Sequence, residues 1–306
     1  MKIYVKESIS ISAPQEKVQA VITDFHSWQH WSPWLLAEPD AKVEITPDGS
    51  RYSWEGNLVG VGTMLFDTIK ENQFTIDLTF LKPWKSKAKI TFNLSSKADE
   101  TTVEWVMDSQ LPFFLFWMKK SMQAYIGMDY TRGLTMLKDY IELGAVPFTI
   151  TVDGFKERKS ALFIGKHGQC TMEDVGQRVS ADFQALMPYL YQHHKSLLIY
   201  HGFTMYSKWD VVKNNVIYTV GHPVSTLPET VEEQFITGTL QGAKVHSVTY
   251  TGPYRHVGNA WAVQMTYLQN KRFKSPKHIP PTEFYHNSPV DTTENDLITQ
   301  VQFAVK

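Results

Sequence analysis

The chain opens on alternation. Ile3, Val5, Ile9 and Ile11 fall on one side of a two-residue period, interrupted by Glu7, while Lys2, Lys6, Ser8 and Ser10 fall on the other. This predicts a strand with one covered face. Ser12-Ala13-Pro14 reads as a helix start, because proline's missing N–H costs nothing at an early helical position. Val18, Val21, Ile22 and Phe25 follow at i, i+3, i+4 and i+7, the spacing of one buried helical stripe. Alternation returns in Phe74, Ile76, Leu78 and Phe80, in Ile90, Phe92 and Leu94, and in Val103, Trp105 and Met107. These predict antiparallel strands with one face covered and the other wet. A long helix is predicted from about Pro112 to Leu143, its clearest stripe being Tyr130, Leu134, Leu137 and Ile141. Gly144-Ala145-Val146-Pro147 supplies a helix stop and a proline, and marks a domain boundary.

The order strand, short helix, strands, long helix has a consequence. A long helix laid across a curved antiparallel sheet leaves a wedge, and the wedge becomes a ligand cavity unless large side chains fill it. Trp28, Trp31 and Trp34 recur every three residues and are expected to pack around its core or mouth, with direct ligand contact as the alternative.

The second half repeats itself. Residues 216–224 align without gaps on residues 297–305, Thr204-Met205-Tyr206 on Glu283-Phe284-Tyr285, and Lys166-His167-Gly168 resembles Tyr250-Thr251-Gly252. Each copy carries a helical stretch, roughly Thr171 to His194 and Arg255 to Arg272. Each unit thus reads as strand, helix, then strands. Two such units side by side would form a pseudo-twofold sheet with both helices on one face and a cleft across the join.

The segment Ile9-Ser10-Ile11-Ser12-Ala13-Pro14, then Val18, Trp28 to Trp34, Gly60-Val61-Gly62-Thr63-Met64, the strand around Trp105 and residues 129–138 resemble the SRPBCC (START-like, polyketide cyclase-like) helix-grip superfamily over about residues 1–145. The resemblance implies a helix-grip cavity and no particular activity. Residues 248–254 and 281–289, together with the repeat, resemble the GyrI-like domain, also called the AraC effector-binding or multidrug-regulator effector domain, over about residues 150–306. The expected fold is therefore α+β, with a helix-grip domain at 1–146 and a pseudo-twofold, duplicated GyrI-like domain at 147–306.

Composition agrees with two globular domains: 306 residues, of which 42% are apolar. Thirty basic residues against 31 acidic ones give no pull on a polyanion, so nucleic acid is not an expected partner. No apolar run reaches the roughly 18 residues of a membrane span. The longest, Leu111 to Met118, stops at Lys119-Lys120, and residues 1–6 lack a signal peptide's apolar stretch. A cytoplasmic protein without a membrane partner is the expectation. Cys170, the only cysteine, can form no internal disulfide. Its place before a helical stretch raises an activated thiol as one reading and an incidental thiol as the other.

Glu283 is the leading candidate for chemistry. It shares a strand face with Pro281 and Tyr285, opposite Phe284 and His286. If that face lines the cleft, a carboxylate stands among aromatics, where it attracts a cation or takes up a proton. The GyrI-like resemblance implies that this glutamate lines the pocket and meets cationic aromatic ligands. An exposed strand glutamate is the plain alternative. Tyr285 and its repeat counterpart Tyr206 are expected to face one another, with Trp261 and Trp209 as flat walls and Tyr254 as a phenol or simple packing. The expected ligand is a small hydrophobic or cationic aromatic molecule bound at Glu283, Tyr285, Tyr206, Trp261 and Tyr254. The alternative function is a small-molecule hydrolase, with Glu283 as general base and tyrosine phenols around a water. A transcription regulator is disfavoured, since no helix-turn-helix or basic face is readable.

No metal or other cofactor is expected. Nine of the eleven histidines follow Pro147, but His193-His194 are adjacent, and neighbours on a helix diverge by about 100°. There is no nucleophile elbow, no phosphate loop, and Gly60-Val61-Gly62 lacks the third glycine of a dinucleotide fingerprint.

Overall fold

The computed structural model describes residues 1–82, 85–110, 113–199 and 201–306, and the chain divides into two compact units, Met1–Pro147 and Phe148–Lys306. The Leu111 and Pro112 ends of the two sequence readings above lie outside the described residues.

In the first unit the opening alternation becomes β1 (Lys2–Ile11), with Ile3, Val5 and Ile11 buried. The predicted helical stripe is split between α1 (Gln15–Ile22) and α2 (Phe25–Trp31). Asp24 causes the break: its backbone is extended and its side chain accepts a 2.9 Å hydrogen bond from the His26 N–H, capping α2. Val18, Ile22 and Phe25 are nevertheless all buried, because the two helices share one core face. Then come β2 (Lys42–Ile45), β3 (Arg51–Glu55), β4 (Val61–Ile69), β5 (Gln73–Lys82), β6 (Ser86–Lys97) and β7 (Glu100–Gln110). All pair antiparallel, in the order β1-β7-β6-β5-β4-β3-β2. The long helix α3 (Lys119–Leu143) starts later than its sequence pattern suggests, after a 3-10 stretch (Phe113–Met118) in which Leu115 leaves helical geometry. It ends where Gly144 takes a left-handed φ of 83°, as a C-terminal glycine permits.

Large rings occupy the wedge between α3 and the sheet. Trp105 stacks on Tyr130 of α3 at 4.1 Å, Phe92 lies 4.9 Å from Trp105, and Trp28 and Trp31 are 4.7 Å apart. Gly133 admits Trp105 beneath α3, since a Cβ there would stand 2.8 Å from the indole. Trp28 and Trp31 are core, whereas Trp34 is partly exposed and leans on Trp54 and Phe80.

The second unit runs β8 (Thr149–Arg158), β9 (Ala161–Cys170), α4 (Val175–His193), β10 (Phe203–Asp210), β11 (Asn215–Val224), β12 (Ile236–Leu240), β13 (Ala243–Thr251), α5 (Gly258–Gln269), β14 (Thr282–Tyr285) and β15 (Ile298–Ala304). Each repeat therefore carries one strand more than its sequence pattern shows, β8 in the first and β12 in the second. Both are edge strands. β8 buries little of either face and bulges near Gly154, and β12 has only five residues, so neither leaves a readable period.

The sheet order is β12-β9-β11-β10-β14-β15-β13-β8. The repeats meet at β10 and β14, and each sends its first strand to the far edge of the other. Thr204 pairs with Glu283, and Phe203 and Met205 pair with Phe284 and Thr282. Thr204 and Glu283 are also counterparts in the repeat, so the pseudo-twofold axis passes through that pair. α4 and α5 cover the same face: Tyr206 packs in the core with Leu186 and Leu190 of α4, and also meets Trp261 of α5.

Among the described residues, no helix is long and apolar enough to cross a membrane.

Candidate functional site

Register and axis together place Glu283. In an antiparallel ladder, residues directly opposite point to the same side of the sheet. Thr204 and Glu283 therefore project together under the helices, as do Tyr206 and Tyr285 one step along each strand. The two tyrosines are repeat counterparts that converge on one atom. Tyr285 OH donates to Glu283 Oε2 at 2.8 Å and Tyr206 OH donates to the same oxygen at 3.2 Å. The other oxygen accepts from Trp261 Nε1, reaching down from α5. Thr204, standing where the symmetric copy would hold a second glutamate, hydrogen-bonds Tyr285 OH at 2.9 Å.

Glu283 is 5% exposed, and no lysine, arginine or histidine among the described residues forms an ion pair with it. Its three partners are neutral donors. Burial pushes its carboxyl pKa above the ordinary glutamate value, and the hydrogen bonds from Trp261, Tyr285 and Tyr206 oppose the shift without cancelling it. Burial and the neighbouring carboxylate push the phenols of Tyr206 and Tyr285 well above their usual value, so both stay protonated donors.

Aromatic rings enclose this carboxylate. Trp261 meets Tyr206 edge-on at 5.1 Å, Trp209 runs nearly parallel to Trp261 (17°, 6.4 Å), and Phe183 of α4 meets Tyr285 at 5.5 Å. Tyr254 lies 5.9 Å from Tyr285. It is partly exposed, yet desolvation first and Glu283 second push its phenol pKa up to about 12. Trp209 and Tyr254 are the outward-facing rings of the group. The five residues singled out in the sequence, Glu283, Tyr285, Tyr206, Trp261 and Tyr254, thus stand together. Two others went unnoticed. Thr204 was legible in principle, since the repeat aligns it with Glu283, whereas nothing in the spacing of α4 marks Phe183.

The remaining candidates lie elsewhere or do other work. Tyr250 is fully buried and donates to the Pro253 carbonyl at 2.6 Å, locking the turn before Tyr254. Cys170 sits five residues ahead of α4 rather than at its first turn, and burial pushes its thiol pKa up, which is opposite to activation. His194 Nε2 lies 3.0 Å from Tyr189 OH, and among the described residues no three His, Cys, Asp or Glu side chains gather as a metal set.

Comparison with known proteins gives a family match in the first unit. Residues 2–142, within the first unit, match the model of the family described as polyketide cyclase / dehydrase and lipid transport. No curated protein matches the chain. Among solved structures, EcmrR in a DNA complex aligns at 16% identity over 62% of this chain and 69% of that one, with a TM-score of 0.42. The EcmrR C-terminal domain aligns at 17% identity over 52% of this chain and 98% of its own, also at 0.42. The protein XoxI from Bacillus cereus aligns at 14% identity over 46% of this chain and 98% of its own, at 0.36.

Proposed function

We propose that the second unit is a binding module for small hydrophobic or aromatic molecules that carry positive charge. One observation carries this reading: a buried carboxylate on the pseudo-twofold axis has three neutral donors and no cation among the described residues. An ionised carboxylate with no counter-ion is costly in a low-dielectric interior. A cationic ligand supplies the missing charge where Coulomb attraction is least screened. The faces of Trp261, Tyr206, Tyr285 and Tyr254 suit a flat cation through ring contacts. Balanced overall charge leaves nucleic acid outside this reading.

Hydrolysis of a reactive small molecule is the second reading, favoured by the 2.8 Å approach of Tyr285 OH to Glu283. A carboxyl with a raised pKa beside a protonated phenol is a usable acid–base pair. One variant separates the two. Glu283→Gln keeps the shape and removes the charge, exchanging one acceptor oxygen for an NH2 donor to which a tyrosine hydroxyl can turn its lone pair. Titration with a cationic aromatic dye should show weakened binding and an unchanged circular dichroism spectrum. Unchanged dye affinity removes Glu283 from the site. Turnover of strained electrophiles by the wild type, lost in this variant, would instead establish the hydrolase.

A further inference from the structure

One end of the first unit's sheet carries both apolar side chains in solvent and exposed lysines. β1 begins there, with Lys2 paired to Gln110 at the end of β7. β6 lies alongside, where Ser109 Oγ donates to the Lys87 carbonyl at 2.9 Å. The chain leaves β7 and returns in the 3-10 stretch before α3, whose start is held to β1 by a 2.8 Å hydrogen bond from Gln123 Nε2 to the Tyr4 carbonyl. Trp117 is 68% and Phe116 60% exposed, and Leu81 and Met1 are exposed at the same end. Trp117 is the most exposed of the described tryptophans. Lys82, Lys85, Lys87 and Lys120 are exposed and Lys119 half-exposed, and none of the five pairs with a carboxylate among the described residues. The carboxylates at this end include Asp108, already paired with Lys2 at 2.7 Å, Glu55, Asp40, and Glu38, which accepts from the N–H groups of Asn57, Leu58 and Val59 in the β3–β4 turn.

Soluble surfaces rarely leave a tryptophan and an adjacent phenylalanine this open. Tryptophan, with an apolar body and one polar N–H, sits well at the level of lipid headgroups, and lysines reach from their stems to headgroup phosphates. The geometry points to a docking surface for an anionic membrane: Phe116 and Trp117 enter the headgroup region while Lys82, Lys85, Lys87, Lys119 and Lys120 meet acidic lipids. Such contact requires no membrane span, so the expectation of no membrane partner, which rested on the lack of one, does not cover it. Five lysines without a carboxylate partner among the described residues, at the end that carries the aromatic tip, favour lipid phosphate over a protein surface of mixed charge.

The test is co-sedimentation of the full chain with phosphatidylcholine vesicles containing roughly a third phosphatidylglycerol, and with phosphatidylcholine alone. Binding to the anionic vesicles is expected, about tenfold or more above the neutral ones, and should weaken as salt rises. The double variants Phe116→Ser/Trp117→Ser and Lys119→Glu/Lys120→Glu should each lower it by about tenfold or more. If the first variant melts early, quenching of wild-type fluorescence by brominated lipid, reduced in Trp117→Phe, reads the same insertion. Absence of binding to anionic vesicles overturns the proposal, as does equal binding of both variants or equal binding to neutral lipid. Self-association that depends on Trp117, without vesicle binding, would reassign the surface to a protein partner.

Discussion

Both units gather aromatic rings between helices and an antiparallel sheet, but the rings end differently. In the first, Trp105 and Tyr130 stack 19° from parallel, and among the described residues neither the indole N–H nor the phenol meets a partner in hydrogen-bond geometry. In the second, the Trp261 indole and two phenols all point at Glu283. The same residue types fill space in one place and converge on a carboxylate in the other. A cluster of aromatics is not a site; polar ends aimed at one carboxyl group make a candidate.

The contrast can be broken most forcefully in the first unit. Trp105→Ala should cost about 3–5 kcal/mol, the usual range for emptying a large buried ring, and should lower its melting transition. Dye binding by the second unit should persist under native conditions; its loss would mean that the two clusters do not act separately. Glu283→Gln should lower cationic dye affinity by about tenfold or more, equivalent to about 1.4 kcal/mol.

The same variant has a pH signature. Because the carboxyl pKa is raised by burial, the folded protein keeps a proton that the unfolded chain has already released. Wild-type stability from this group is therefore present at low pH and is lost as pH climbs from the ordinary glutamate value through the raised one. Glu283→Gln should melt like the wild type in acid and above it at higher pH. Parallel melting curves across pH would show that the carboxyl titrates normally. Dye affinity of the wild type should move the opposite way, strengthening as the carboxyl ionises.

The smallest effects compare two tyrosines. Tyr285→Phe should cost about 1 kcal/mol or slightly more, because it removes a hydrogen bond to a buried carboxyl. Tyr130→Phe should be neutral or mildly stabilising, because its hydroxyl is buried without a hydrogen-bond partner among the described residues. Denaturant midpoints of the two variants decide this, and equal losses would erase the distinction drawn between the clusters.

Periodicity was readable wherever a segment buries one face. β1, β5, β6, β7 and the stripe of α3 followed from alternation or helical spacing, since burial is what writes the pattern. β8 and β12 were missed because edge strands bury little, and the split at Asp24 was missed because one core face serves both helices. Among the site residues, Glu283, Tyr285 and Tyr206 were legible through the repeat, which marks paired positions irrespective of burial. Phe183 was not, since α4 gives it no spacing that differs from core.

The amino-acid sequence by itself determined two α+β units, a duplicated second half and a carboxylate among aromatic positions. The tertiary structure alone decided that Thr204 and Glu283 are cross-strand partners on the pseudo-axis, that two phenols 79 positions apart meet one oxygen, and that α5 supplies Trp261. Local periodicity records which face of an element is buried. The register between β10 and β14, and the reach of a helix over them, are set by packing between distant segments, which no local pattern encodes.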